Sequence, residues 1–201
     1  MVQRNLSEDD DLKLIKRLIF SPNNLQVQKI DRGNDKTPDL QILLNGKLAA
    51  FCEFKSPRDD WLDNLIDQAK ACTIIGGWRE DPVFKKVRKH ANKSSKQFEA
   101  VNPDRLVPNI LIFVNHDDSS NFGDLREAFN GYFHSSDGSK HITMPEIATS
   151  LEKAKRNIDL CIWIDGNEER AECYFFNHDA IPNHLKNLCK FLNKDPRKII
   201  Y

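Results

Sequence analysis

No apolar run in the 201-residue chain approaches the roughly 20 residues of a membrane span, and its opening, MVQRNLSEDDD, lacks the apolar stretch of a secretory signal. A cytoplasmic protein with no membrane partner is therefore expected. Cysteine is scarce: Cys52, Cys72, Cys161, Cys173 and Cys189 are odd in number, far apart and without a C-x-x-C pair. That excludes a disulfide framework and a zinc knuckle, and leaves reduced, partly buried small residues. Neither sign of charge dominates, because 30 basic residues cancel 30 acidic ones, so any contact with nucleic acid must use a local patch. Signature motifs are missing too. There is no G-x-x-x-x-G-K-[ST] for ATP-driven work and no G-x-S-x-G of an α/β-hydrolase. The six histidines, His90, His116, His134, His141, His178 and His184, are scattered without an H-E-x-x-H, so surface or capping roles are expected.

What is present is an ordinary folding composition, 39% hydrophobic and 30% charged, in a length suited to one domain spanning 1–201. Ser7 and the acids Glu8 to Asp11 precede Leu12, Leu14, Ile15, Leu18 and Ile19, which predicts an N-capped amphipathic helix ending before Pro22. Strand patterns follow over Leu25 to Ile30, Asp39 to Leu44 and Lys47 to Lys55, with Asn45-Gly46 turning the last two into a hairpin. Helices are predicted over Trp61 to Ile75 and Val83 to Ala100, then a short strand over Asn109 to Val114. Further on come a helix from Asp124 to Tyr132, a polar loop from His134 to His141 and a helix from Pro145 to Lys155. Strands Ile158 to Ile164 and Arg170 to Phe176 and a helix from Ala180 to Leu192 close the chain. Interleaved strands and helices make the fold class α/β.

The segment that carries chemistry is Lys36-Thr37-Pro38-Asp39 followed, after the hairpin, by Phe51-Cys52-Glu53-Phe54-Lys55-Ser56-Pro57. Glu53 and Lys55 stand two apart on one strand and so share a face, while Cys52 and Phe54 point to the other. The strand is apolar on both sides, as a central buried strand would be, and ionised groups at its end cost several kcal/mol each unless paired or metal-bound. Asp39 joins them only in one register. A two-residue Asn45-Gly46 loop sets Asp39 against Cys52, on the wrong side of the sheet. A three-residue loop, Leu44-Asn45-Gly46, sets Asp39 against Phe51 and diagonal to Glu53, about 5 to 8 Å away. That register is the expectation. Two carboxylates and the Phe54 carbonyl are hard oxygen donors that favour Mg²⁺ or Mn²⁺ over zinc. Such an ion would polarise a phosphate and acidify a water, with Lys55 positioning that water or stabilising the developing charge.

On these residues the chain resembles the PD-(D/E)XK nuclease superfamily. Pro38-Asp39, the hairpin, Glu53-Phe54-Lys55 and the α-β-β-β-α-β order carry the resemblance, over about residues 7–115. It implies a restriction-endonuclease-like core, a central mixed sheet flanked by helices, with residues 116–201 as a C-terminal α/β extension. It also implies Asp39 and Glu53 as metal ligands, Lys55 as the catalytic lysine, and phosphodiester hydrolysis of nucleic acid, DNA before RNA. A helix-1 acid often completes such a site. Glu8, in register with Leu12, Ile15 and Ile19, is preferred here over Asp11, which aligns with Leu14, Ile15 and Leu18. A glutamine on a following helix sometimes does so too, and Gln97 fits that pattern better than Gln68. The basic helix Val83 to Ala100 offers Lys89, His90, Lys93 and Lys96 as nucleic-acid contacts. The alternative is an inactive module of the same fold that binds nucleic acid or a protein partner; a homodimer is compatible with either.

Overall fold

The structure is a computed structural model that describes residues 7–31, 37–57, 83–117, 120–176 and 182–194. The expected helix from Trp61 to Ile75, with Gln68 and Cys72, lies outside the described residues, as do Lys36 and His178.

The first helix begins where the sequence places it. Ser7 Oγ accepts from the Asp10 N–H, and the Asp10 carboxylate accepts from the Ser7 N–H, a reciprocal cap that satisfies two orphan donors. Helix α1 (Glu8–Ile15) runs on through a π-helical stretch, Lys16–Phe20, and a 3₁₀ turn, Ser21–Asn23, which Asn24 ends in the left-handed conformation. Strands β1 (Gln26–Lys29), β2 (Leu40–Leu44) and β3 (Lys47–Lys55) then form an antiparallel meander. Helix α2 (Val83–Val101) crosses to β4 (Asn109–Asn115), and helix α3 (Phe122–Asn130), strands β5 (Tyr132–His134) and β6 (Lys140–Ile142) and helix α4 (Pro145–Asn157) lead to β7 (Leu160–Asp165). Strand β8 (Arg170–Phe175) and helix α5 (Pro182–Phe191) complete the described elements.

The main sheet has the order β1-β2-β3-β4-β7-β8 and is mixed: β3, β4 and β7 are parallel, the outer pairs antiparallel. Parallel neighbours need crossover connections, and inner strands with helices on both faces are apolar throughout. Strand β4, NILIFVN, is buried at every position. On one face Leu12, Ile15 and Ile19 of the first helix and Leu188 and Cys189 of α5 pack on Ile42, Cys52, Phe54, Ile112 and Ile162. On the other face Val87, Ala91 and Phe98 of α2, Phe129 of α3 and Leu151 of α4 pack on Phe51, Leu111, Phe113 and Trp163. Each such large side chain taken from water contributes about 1.5–3 kcal/mol. The strands beyond residue 116 thus extend the sheet that holds β3. No described helix is long and apolar enough to cross a membrane.

Two local expectations are corrected. The segment expected as a polar loop, His134 to His141, lies in a two-stranded hairpin, β5–β6. Cross-strand contacts offset its polarity: Phe133 stacks on His141 at 5.0 Å between ring centroids, and the Lys140 ammonium sits 3.7 Å over the Tyr132 ring. The β2–β3 connection is the second. It is a two-residue turn, with Leu44 opposite Lys47 and both Asn45 and Gly46 at positive φ, as a twist-matched hairpin turn requires. The register is shifted instead by a bulge on β3, where Ile42 faces Ala50 and Leu43 faces Leu48, leaving Ala49 unpaired. Leu40 consequently faces Cys52, and Asp39, one residue earlier, stands directly opposite Glu53 instead of diagonal to it.

Candidate active site

Because β3 alternates, Phe51, Glu53 and Lys55 point toward the α2 layer while Ala50, Cys52 and Phe54 point toward α1. The bulge brings Asp39 to the same face as Glu53. Each carboxylate is then held by the other's strand: the Asp39 N–H donates to Glu53 Oε2 at 2.8 Å, and the Phe54 N–H donates to Asp39 Oδ2 at 3.2 Å. Lys55 Nζ lies 3.6 Å from Asp39 Oδ2 and makes a closer ion pair with Glu53 Oε1. Asp39, Glu53 and Lys55 therefore form one cluster, in which Glu53 is fully buried and Asp39 is 7% exposed.

Two buried acids lie beside Lys55, and burial decides the electrostatics of Glu53. Burial pushes the Glu53 carboxyl well above the ordinary carboxylate range; the Asp39 charge adds to this, and Lys55 opposes it without cancelling it. Additional buried oxygens of this region lack hydrogen-bond partners among the described residues. They are Thr37 Oγ1, Ser94 Oγ and Gln97 Oε1. Orphaned buried polar atoms are uncommon and call for a ligand, a water or an ion.

Helix α2 borders this cluster. Gln97 is buried, and its Nε2 donates to the Thr37 carbonyl at 2.8 Å, tying the helix to the residues just before Asp39. His90 is half-buried with its ring edge against Phe113, the β4 partner of Lys55. Burial, with the charge of Lys55 next in weight, lowers its pKa to about 4, so at neutral pH it is an uncharged group and not a cationic phosphate contact. Lys89, Lys93 and Lys96 are exposed on the outer side of the helix.

The two helix-1 acids differ in position. Glu8 is exposed in the solvated first turn, whereas Asp11 is 1% exposed. Both share helical register with Ile15, but only from Asp11 onward does the helix lie against the sheet. Ser56 Oγ donates to Asp11 Oδ2, and Asp11 Oδ1 lies 2.7 Å from His116 Nε2. Sequence reasoning assigned no role to Ser56 and only a surface role to His116. Their partnership with Asp11 spans 45 and 105 residues of chain, beyond the reach of any local pattern.

No group of three or more His, Cys, Asp or Glu side chains forms a ready metal cage among the described residues. The donor set still suits Mg²⁺ or Mn²⁺, since magnesium keeps several waters and is commonly held by one or two carboxylates together with substrate phosphates. Burial raises Glu53, so that it takes up either a proton or a cation more readily than an exposed carboxylate. No family model, no curated protein and no solved structure matches the chain.

Proposed function

We propose that the chain is a metal-dependent nuclease of the PD-(D/E)XK type with a restriction-endonuclease-like core, acting on nucleic acid and on DNA in the first instance. The observation that carries the proposal is the pairing of Asp39 and Glu53 across β2 and β3 with Lys55 between them, buried in a mixed sheet. Asp39, Glu53 and the Phe54 carbonyl are the residues that would hold Mg²⁺ or Mn²⁺, which would supply Lewis-acid polarisation of the phosphate and a more acidic water. The chain's own residues do the remainder. Lys55 places a fixed positive charge where negative charge develops on the phosphate or on the attacking water. The backbone N–H groups of Asp39 and Phe54 hold the two carboxylates in place, so little reorganisation is needed during reaction. The exposed Lys89, Lys93 and Lys96 of α2 supply the local positive surface that a protein of zero net charge needs to hold a phosphate backbone.

The test is cleavage of plasmid, single-stranded DNA and RNA with Mg²⁺, Mn²⁺ or chelator. Cleavage lost with chelator, and reduced about 10²-fold or more by Lys55→Ala at every metal concentration, supports the proposal. Binding of nucleic acid without cleavage under any metal would favour the inactive module instead.

A further inference from the structure

Lys55 is the last residue of β3, and the residues behind it come from distant parts of the chain. Its successor, Ser56, turns to the opposite face and donates its hydroxyl proton to Asp11. Asp11 is out of water, and a carboxylate can only accept, so its second contact requires a proton on His116 Nε2. His116 follows directly on β4, and its ring is pressed against Gly166 in the turn between β7 and β8. A Cβ added at Gly166 would overlap His116 Nδ1 and Cε1 and come within 3.0 Å of the Asn115 carbonyl. That carbonyl already accepts from the Gly166 N–H at 2.7 Å, which pins the turn. A continuous line of contacts thus runs from the β7–β8 turn through His116, Asp11 and Ser56 to Lys55.

We propose that Gly166, His116, Asp11 and Ser56 are a positioning chain that fixes where Lys55 leaves the sheet, so that the C-terminal part of the molecule sets the lysine of a site built by the N-terminal part. Lys55 needs such fixing. It stands between two carboxylates, 3.6 Å from one and closer to the other, and a displacement of about 1 Å would change which of them it serves. The positional claim concerns Lys55 alone; its catalytic consequence rests on the nuclease proposal.

Competitive acetylation of the full chain with limiting acylating reagent, read by mass spectrometry, tests the two separately. Lys55, 16% exposed, should label slowly relative to Lys153, 67% exposed on α4. Ser56→Ala, His116→Ala and Gly166→Ala should each raise the Lys55/Lys153 ratio by about tenfold, in keeping with the removal of an orienting partner. His116→Gln, whose amide can still donate to Asp11, should restore the wild-type ratio. Asp39→Asn, which removes the charge of one direct partner of Lys55, shows that the ratio can move. The proposal is overturned if the ratio stays at the wild-type value in all three variants while Asp39→Asn raises it. It is equally overturned if Lys153 labelling rises in step, which would mean general loosening. In cleavage assays the same variants should lower kcat about 10- to 100-fold with KM unchanged. A changed ratio in a protein that cleaves nothing supports the positioning chain and counts against the nuclease. Cleavage by a protein whose ratio never changes does the reverse.

Discussion

Two buried acidic clusters lie at different ends of the parallel strands, one at the exit of β3 and one at the entrance of β4 and β7. At the exit, Asp39 and Glu53 share Lys55, and Glu53 is driven up in pKa. At the entrance, Asp159 is held by the Arg105 guanidinium, by His184 Nδ1 at 3.1 Å and by the Asn109 N–H at 2.8 Å. Burial raises the Asp159 carboxyl, but these three partners outweigh it and hold the pKa below its ordinary value. Asn102 and Asn109 continue the network, donating to the Val107 and Asn157 carbonyls. Both clusters are largely out of water, yet Asp159 faces Arg105 and His184, whereas Asp39 and Glu53 face each other as well as Lys55. The difference is one of sign: at Asp159 the partners outweigh burial, whereas at Glu53 burial outweighs Lys55.

The largest expected effect breaks the Asp159 cluster. Asp159→Asn should lower stability by about 3 kcal/mol, because it leaves the half-buried Arg105 without the counter-charge of a buried carboxylate, and urea unfolding at neutral pH measures this. The same variant fixes the sign of the acid response. With the folded-state pKa depressed, the contribution of Asp159 is present above the unfolded carboxylate value of about 4 and is lost as pH falls through the folded value. Stability of the wild type should therefore drop more steeply below about pH 4 than that of Asp159→Asn. Stability curves that stay parallel would show that Asp159 is not the titrating group.

The Asp39–Glu53 cluster should respond in binding more than in folding. Asp39→Asn removes one anionic ligand, so Mn²⁺ affinity measured by calorimetry should fall by about tenfold or more, and raised Mn²⁺ should restore part of any cleavage. Affinity equal to wild type would remove Asp39 from the metal site. Replacing Lys89, Lys93 and Lys96 together should flatten the dependence of nucleic-acid binding on salt, by about one unit of slope for each phosphate no longer neutralised. An unchanged slope would leave the helix as a solvated face. The smallest expected effect is the sharpest contrast with Asp159. Glu53→Gln, measured without metal, should change stability by less than about 1 kcal/mol in either direction, since it relieves a repelled buried charge while weakening the ion pair with Lys55.

The sequence alone determined the strand and helix positions where periodicity was strong. Strand β3 runs from Lys47 to Lys55 as the apolar run and the Asn45-Gly46 turn predict, and the Ser7 cap and α2 fall where they are expected. It also determined that Glu53 and Lys55 share a face, because the two-residue period of a strand permits nothing else. The arrival of Asp39 beside them was inferred with the correct partners and the wrong device. A bulge at Ala49 costs no special residue type, so no letter in the sequence announces it, whereas packing Ile42, Leu40 and Ala50 into the core makes it necessary. Tertiary structure alone gave Glu8 and Asp11 their different burial, since helical register is the same for both and only the line at which α1 meets the sheet distinguishes them. It alone brought His116 and Gly166 behind Lys55 and His184 onto Asp159, contacts between residues distant in the chain whose identity depends on which strands lie side by side. Local sequence fixes what each segment can present, and the strand order of the sheet fixes what it meets.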